Sequence, residues 1–549
     1  MEAGADNPTS LAPPQDVRLA CRAILSSQPR EPCISRRDLN LLGRQSYKEL
    51  MREGFKPRAD VKHWPFKVPV DWAADPFGDR NWMFQLHGWR GVDPILSEYF
   101  RTKNPRFLAE ALVFALDWFT YHRRHKPTRF SWYDMATGLR AMKIAFLLDA
   151  SFCGLFCPRS EDAAALLELA DDHAQRLQDE KFINLGNHGV FQIVGLALLA
   201  AVLAGRPSAT SALPFARKMF EKIMRHGYTE EGVHREHSPY YHYFTTVTIR
   251  KLAASQLVTE TASALLDKAE RVQPWLVWPN GRFVEVGDSE SKGRPLAGGV
   301  VPLFELEDGR SFAIGDFTRS GYAVVRSDPR LEDQQSMLFV TGMAYSTAHK
   351  HADELSFALF EHGQPLFVDS GKYGFNRDKW RAYVTSAAAH NTISLHGRRI
   401  DRSDAPSQGS FLRSLCADGT GFTVEGELLR PGLFKQKRVI RYCPARSLHV
   451  QDEVVSNTEQ SFVSSLHFDH RLTPQLTEEG FEVLLKGGKK VRGRLESARG
   501  ELECVRGQEA PVLGWQSSGY MKMIPTSVVR AICWGRQQRI AWSIELDAW

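Results

Sequence analysis

The spacing of apolar residues changes near residue 310, and this change limits the possible folds more than any other feature of the sequence. Between about residues 60 and 300, apolar residues recur every three or four positions, as in amphipathic helices; these segments are 104–118, 137–151, 162–178, 190–204, 212–226 and 241–257. After about residue 310 they alternate with polar residues in short runs, as in strands; these runs are 321–326, 337–340, 355–360, 393–395, 420–428, 436–442, 447–455, 462–468, 482–486 and 538–546.

Two structural classes in series follow from this pattern. We predict a multidomain α+β protein whose helices form an all-α array, either a solenoid or a closed ring of helical hairpins. An antiparallel β-sandwich follows the helices. The predicted domains are an N-terminal tail and helical arm at 1–60, the helical domain at 61–308 and the sandwich at 309–549.

Composition indicates a globular protein with large cores. The chain has 549 residues, 43% of them hydrophobic, and its longest apolar run, 190–204, is shorter than the roughly 18 residues of a membrane span. Its first residues are acidic and proline-rich, unlike a secretory signal. We expect a cytoplasmic protein as written, or a periplasmic or secreted one if a signal has been removed. The eight cysteines are too few and too scattered for a disulfide framework, so we expect free, mostly buried thiols.

Charge narrows the class of partner. The net charge is +6, but the basic residues are spread along the chain and do not form the clustered patch of a nucleic-acid footprint. We therefore expect an acidic small molecule or an acidic polymer as partner, and neither nucleic acid nor membrane.

Three histidines and an aspartate lie on successive apolar segments of the second half. On a strand, His349 and His351 would point to the same face. Asp369 ends the next strand-like run, and His390 begins another. His351, Asp369 and His390 offer the two nitrogens and one oxygen that zinc accepts, which would leave His349 free. The alternative is a set of unrelated loop histidines.

Three other polar clusters could have either a functional or a purely structural role. Asn187 and His188 could hold an anionic group, or could simply start a helix. Tyr240 and Tyr241 follow Pro239, where aromatic residues commonly serve packing. The stretch 286–290 could line a cleft or form a plain turn.

An aromatic and basic loop at 369–383 suits a sugar ring and its carboxylate. Tyr373 and Arg381 belong to this loop. Lys350 lies between His349 and His351, and Glu236 lies just before Tyr240 and Tyr241. The alternative for this loop is a β-turn with aromatic packing.

Taken in order, six short motifs resemble those of the heparinase II/III-like polysaccharide lyases. They are Asn187-His188-Gly189, Ser238-Pro239-x-Tyr241-His242, Gly287-Asp288, His349-x-His351-Ala352-Asp353, Val368-Asp369-x-Gly371-x-Tyr373 and Ala389-His390-Asn391-Thr392. The resemblance covers about residues 60 to 470. It implies an (α/α) toroid of helical hairpins followed by an antiparallel β-sandwich.

The resemblance also implies a reaction, β-elimination on a uronic-acid-containing polysaccharide. In this reaction H5 is removed and the sugar linked at O4 is expelled. Asn187 and His188 match the residues that neutralise the carboxylate, and Tyr241 and His349 match the base and acid. If H5 and O4 lie on the same side, as in glucuronate or mannuronate, Tyr241 could serve both steps. If they lie on opposite sides, as in iduronate or guluronate, His349 would be the base and Tyr241 the acid.

The remaining roles implied by the resemblance concern substrate and metal. A structural zinc ion would be held by His351, Asp369 and His390, with no organic cofactor. We expect the substrate, an acidic polysaccharide or oligosaccharide, to contact Glu236, Tyr240, Lys350, Tyr373 and Arg381. A homodimer stays open.

Two rival functions remain. A glycoside hydrolase of the toroid type could recruit carboxylates from Glu230, Glu231, Glu236, Asp288 or Glu290. A polysaccharide-binding or assembly protein could keep the fold without turnover.

Overall fold

A computed structural model gives the fold of most of the chain. It describes residues 33–252, 257–290, 303–328, 335–343, 345–406, 409–496 and 500–547. None of the helices in this part of the chain combines the length and the apolar character that crossing a bilayer requires.

The first half of the described chain is helical. Its α-helices are α1 (Tyr47–Glu53), α2 (Arg80–His87), α3 (Asp93–Thr102), α4 (Arg106–Arg124), α5 (Asp134–Phe152), α6 (Ser160–Leu177), α7 (Asn187–Val202), α8 (Ala212–Gly227), α9 (Pro239–Leu252) and α10 (Glu260–Val272). Each of the six segments with helical spacing contains most of one of these helices, so the prediction of a helical first half is confirmed.

Sequence spacing explains these helices. Helix α8 buries Ala216, Met219, Phe220 and Ile223, which recur every three or four residues on one face. Helix α5 is buried along almost its whole length and packs against α6 and α7. It approaches α7 closely because Gly138 lies against the backbone of Phe191: a Cβ at Gly138 would stand 2.4 Å from that carbonyl oxygen.

Antiparallel strands make up most of the second half. In the described residues, a six-stranded meander contains β1 (Leu303–Glu305), β2 (Ser311–Phe317), β3 (Tyr322–Ser327), β4 (Met337–Thr341), β5 (Phe357–Glu361) and β6 (Gln364–Phe367), each paired with the next. A short helix, α11 (Lys379–Val384), follows it.

A larger sheet completes the fold. Its strands are β7 (Ile393–Leu395), β8 (Ser410–Asp418), β9 (Gly421–Arg430), β10 (Phe434–Cys443), β11 (Ser447–His467), β12 (Gln475–Leu476), β13 (Gly480–Leu484), β14 (Lys490–Leu495), β15 (Glu501–Arg506) and β20 (Ser527–Leu546). Strand β20 lies between β11 on one side and β14 and β15 on the other. Two hairpins precede it, β16 (Gln508–Glu509) with β17 (Val512–Leu513) and β18 (Trp515–Gly519) with β19 (Lys522–Pro525).

The two sheets share one core, so the predicted antiparallel sandwich is confirmed. Alternate residues of the meander, such as Val325 and Leu338, pack with Ile440 and Trp542 of the larger sheet. The predicted strands 447–455 and 462–468 are one continuous strand, β11, whose pairing with β20 shifts register between Val455 and Gln460. This irregularity in the pairing breaks the alternation there without ending the strand.

The opposite face of the meander is covered as well. Tyr322, Val324 and Phe339 pack with Val233 and with residues of the stretch that follows α10, among them Trp275, Trp278 and Val284. This packing brings polypeptide from the middle of the chain onto the sheet.

Contacts divide the chain into two compact units. The first comprises Met1–His226 and Thr248–Ser263, and the second comprises Gly227–Val247 and Ala264–Trp549. The domain boundaries predicted at residues 60 and 308 differ from the limits of these two units. They stay predictions.

The cysteines differ from expectation. None of the seven described cysteines is in a disulfide, as predicted, but only Cys153 and Cys533 are buried, and four are exposed, namely Cys33, Cys157, Cys416 and Cys504. The expectation of mostly buried thiols is therefore wrong. Cys21 lies outside the described residues.

Candidate active site

Tyr241 and His349 form the centre of the candidate site, and both belong to the second unit. Their rings stack with centroids 3.5 Å apart and an angle of 12° between planes. Tyr241 lies in the first turn of α9, where the Ser238 and Ser289 hydroxyls accept hydrogen bonds from the Tyr241 and Tyr240 amides. These hydroxyls satisfy amides that a helix start leaves without partners, and so hold the turn that carries Tyr241.

His349 lies on an irregular loop and not on a strand. Its φ of 57° is left-handed, and the expectation that strand alternation aligns His349 with His351 is wrong. Gly287 makes the loop conformation possible, because a Cβ there would stand 2.7 Å from the His349 carbonyl oxygen. The Asp288 amide donates to the same oxygen at 2.9 Å.

Asp288 connects the functional side chains. Its carboxylate is fully buried and accepts from His349 Nδ1 at 2.9 Å and from His351 Nε2 at 3.0 Å. Both terminal nitrogens of Arg381 donate to it as well. Burial alone would raise the pKa of the Asp288 carboxyl, but the hydrogen bonds from these two histidines and from Arg381 hold that pKa well below its usual range.

The pKa of Tyr241 is raised, whereas a tyrosine that acts as a base needs a lowered pKa. Burial raises it well above its usual value, and the negative charges of Asp288 and Glu236 raise it further. Tyr241 therefore carries its proton at neutral pH, and in this state it is suited to act as a proton donor.

The predicted metal ligands come together. Ligand atoms of His351, Asp369 and His390 all lie within 4.8 Å of one another, and all three residues are buried. Asp369 Oδ2 accepts from His390 Nδ1 at 2.7 Å, while His351 Nδ1 and His390 Nε2 are buried without a hydrogen-bond partner in the described residues. Burial lowers the pKa of His351 to about 4. A neutral imidazole and two nitrogens without partners fit a zinc ion, which binds through unprotonated nitrogen.

A ring of aromatic side chains surrounds a lysine beside the Tyr241–His349 pair. Lys372 Nζ lies 2.9 Å from Glu290 Oε1 and 5.0–5.8 Å from the centres of four rings, those of Tyr240, Tyr241, Phe375 and Tyr520. Phe375 is about half exposed. The predicted substrate residue Glu236 lies nearby, with Oε2 3.8 Å from His349 Nε2. Aromatic rings and charged groups of both signs therefore border the pair.

Three predicted substrate residues have other partners. Lys350 is fully buried and pairs with Asp353. Arg381 is engaged with Asp288, and Tyr373 packs into a cluster with Tyr383 and Val384. Lys350 is thus closed off from a substrate, whereas substrate contacts by Arg381 and Tyr373 stay predictions.

Asn187 and His188 belong to the first unit and begin α7, after Gly186. His188 Nδ1 lies 3.1 Å from Asp134 Oδ1, and its side chain is 32% exposed. Burial alone would raise the pKa of Asp134, but its hydrogen bond and charge interaction with His188 lower it. His188 is therefore oriented by a carboxylate while its ring stays accessible.

The sequence indicated Asp288 only as a carboxylate that a hydrolase could recruit, and Lys372 only as part of the basic loop at 369–383. Asp288 stood in a short polar stretch that reads equally well as a turn, although the Gly287-Asp288 pair was one of the six motifs. Lys372 follows a glycine in a loop, and only folding brings it to Tyr240 and Tyr241.

Two family models match the chain, one for each half. The heparinase II/III N-terminus matches residues 31–268, and the heparinase II/III-like C-terminal domain matches residues 310–539. The chain belongs to the heparinase II/III-like family. This assigns it to the polysaccharide lyases, and the matches extend beyond the region of residues 60 to 470 that the motifs covered.

Solved structures share the fold of this chain. Crystal structures of heparinase III and of the heparan sulfate lyase HepC from Pedobacter heparinus are 15% and 12% identical to the chain, with TM-scores of 0.75 and 0.65. The alignments cover 97% of this chain, with 90% of heparinase III and 88% of HepC. Heparinase III combines an (α/α) toroid with a β-sandwich, which confirms the predicted fold class. No curated protein sequence matches the chain.

Proposed function

We propose that this lyase cleaves a uronic-acid-containing polysaccharide by β-elimination, giving chains that end in a 4,5-unsaturated uronate. The observation that carries the proposal is the stacked Tyr241–His349 pair, whose imidazole is bonded through Nδ1 to a buried carboxylate. Two adjacent groups able to exchange protons are what removal of H5 and protonation of O4 require.

The state of the pair supports a division of labour. With Nδ1 bonded to Asp288, Nε2 of His349 is the nitrogen left to accept H5, and protonated Tyr241 donates to the departing O4. These protonation states, rather than the positions of the two rings, match the roles expected when H5 and O4 lie on opposite sides of the sugar ring, as in iduronate or guluronate. A substrate with both on one side requires Tyr241 to lose its proton first, against the raised pKa.

Neutralising the carboxylate makes H5 acidic enough to remove, because the charge that develops on proton removal spreads onto the carboxyl oxygens. By family resemblance we assign this to Asn187 and His188. The Asp134 contact supports the assignment, since it orients the accessible His188 ring, whose imidazolium form would donate to a substrate oxygen through its other nitrogen. Lys372 and Tyr240 would contact the sugar beside Tyr241.

We propose that His351, Asp369 and His390 hold a structural zinc ion. Bound there, the ion would cross-link the loop that carries His349 to two other segments. Elemental analysis of the purified protein should find near-stoichiometric zinc, and His390→Ala should lose it. A wild-type protein without zinc would refute this assignment.

A substrate screen tests the reaction. Polymers that differ in uronate epimer and sulfation, such as heparan sulfate, hyaluronan, dermatan sulfate and alginate, are incubated with the protein. Elimination creates a C4–C5 double bond that absorbs in the near ultraviolet, whereas hydrolysis adds water and leaves a saturated sugar. New reducing ends without this absorbance would refute the lyase mechanism in favour of a hydrolase.

Variants of the pair test the assigned roles. Tyr241→Phe removes the proton donor and His349→Ala removes the base, so each should lower kcat by about 10²-fold or more. Tyr243→Phe is the matched control, because Tyr243 lies two residues further along α9 and packs against Phe283. Full activity in both Tyr241→Phe and His349→Ala would contradict the assignment.

A further inference from the structure

We propose that Asp288 is a positioning residue that determines which ring nitrogen of His349 carries the proton. This inference rests on the proposed function, in which His349 accepts H5. Asp288 is fully buried, and an ionised carboxylate can only accept hydrogen bonds. The proton of a neutral His349 ring is therefore held on Nδ1, facing Asp288 Oδ2 at 2.9 Å.

The opposite nitrogen of the ring stays available. Nε2 of His349 lies 3.8 Å from Glu236 Oε2, which is longer than a hydrogen bond. Stacking on Tyr241 at 3.5 Å holds the plane of the ring, and the hydrogen bond to Asp288 selects the orientation in which Nδ1 faces the carboxylate. Asp288 and Tyr241 together fix both the orientation of the ring and the position of its lone pair.

Arg381 holds the carboxylate in place. Both of its terminal nitrogens donate to Asp288, in the two-point geometry that a guanidinium forms with a carboxylate. Arg381 itself lies in the first turn of α11, where Asp378 caps the helix by accepting from the Arg381 amide at 2.9 Å. The arginine predicted to bind substrate thus orients the residue that orients the base.

Replacing the carboxylate with an amide keeps the volume of the side chain but removes its negative charge. In Asp288→Asn one acceptor becomes an NH₂ donor, which faces an N–H group whichever way the amide turns. If the NH₂ group faces His349, the imidazole has to carry its proton on Nε2 and cannot accept H5. If it faces the other way, it opposes the donors of His351 and Arg381.

The test compares Asp288→Asn, His349→Ala and the double variant on each polymer that the wild type cleaves. Asp288→Asn should lower kcat by about 10²- to 10⁴-fold with KM changed less than about 3-fold. The double variant should be no slower than the slower single variant, since both substitutions remove the same function. Glu285→Gln is the matched control, because this carboxyl, also buried and three residues away, binds the Trp278 indole instead.

Several results would overturn the proposal. One is an Asp288→Asn variant that keeps the wild-type kcat. Another is a double variant whose loss in kcat equals the product of the losses in the two single variants. A third is an Asp288→Asn variant whose activity falls only in proportion to the zinc it has lost, as measured by elemental analysis. A wild-type protein inactive on every polymer would instead refute the proposed function, and this inference with it.

Discussion

Glu285 should make the stability of the second unit depend on pH. Its carboxyl is buried and accepts a hydrogen bond from the Trp278 indole at 2.8 Å. Burial raises its pKa from the ordinary 4.5 to about 7. The folded protein therefore binds this proton more tightly than the unfolded chain. The stabilisation is fully present below pH 4.5 and is lost as pH rises through 7.

The size of the effect follows from the shift in pKa. One pKa unit corresponds to 1.36 kcal/mol, so the free energy of unfolding changes by about 3 kcal/mol across the whole range. Between pH 5 and pH 8 the change is about 2.5 kcal/mol, because part of it has already occurred at pH 5. Glu285→Gln keeps an oxygen for the indole but cannot ionise, so it removes this dependence.

Urea unfolding of the wild type and Glu285→Gln at pH 5 and pH 8 measures the difference. Relative to the wild type, the free energy of unfolding of the variant should rise by about 2.5 kcal/mol from pH 5 to pH 8. Comparing the two proteins at each pH also cancels the contributions of other titrating groups. Glu478→Gln, a change at an exposed glutamate of the same unit, should show no such gain. Equal stability differences at both pH values would refute the argument that Glu285 is buried and protonated.

Two further stability predictions follow from close contacts. Gly138→Ala should destabilise the first unit by about 2 kcal/mol, because its Cβ would meet the Phe191 backbone, whereas Gly43→Ala has open space; thermal unfolding of both variants checks this. Lys350→Met should destabilise the protein by about 3–5 kcal/mol, because it leaves the buried Asp353 charge without its partner. Adding Asp353→Leu should recover part of that loss in the same urea assay, and no recovery would contradict the pairing.

The fold was predictable because it depends on periodicity. Spacing of three and four residues placed the helices, as α8 illustrates with its buried stripe, and alternation placed most strands. Strand β11 shows the limit of this reasoning. An irregularity in the pairing after Val455 interrupts the alternation without interrupting the strand, which pairs on both sides of it with β20, some 80 residues later.

The candidate site was predictable where chemistry limits the residue type and less so where distant contacts decide. His351, Asp369 and His390 were found from their ligand chemistry, and the structure brings them together. Lys350 looked available because lysine is normally exposed, but Asp353 pairs with it in the interior. Arg381 was expected to meet a substrate carboxylate, and it meets that of Asp288 instead, 93 residues away in the chain.

The central place of β20 has a consequence for synthesis of the protein. Strand β11 begins at Ser447, but the strand that completes its pairing begins only at Ser527. At a translation rate of about 5–20 residues per second, β11 waits on the order of ten seconds with one edge unpaired. An unpaired edge of this length is a template for association with other chains. Slow emergence from the ribosome, or loss of the β20 segment, should therefore lead to aggregation rather than to a smaller folded protein.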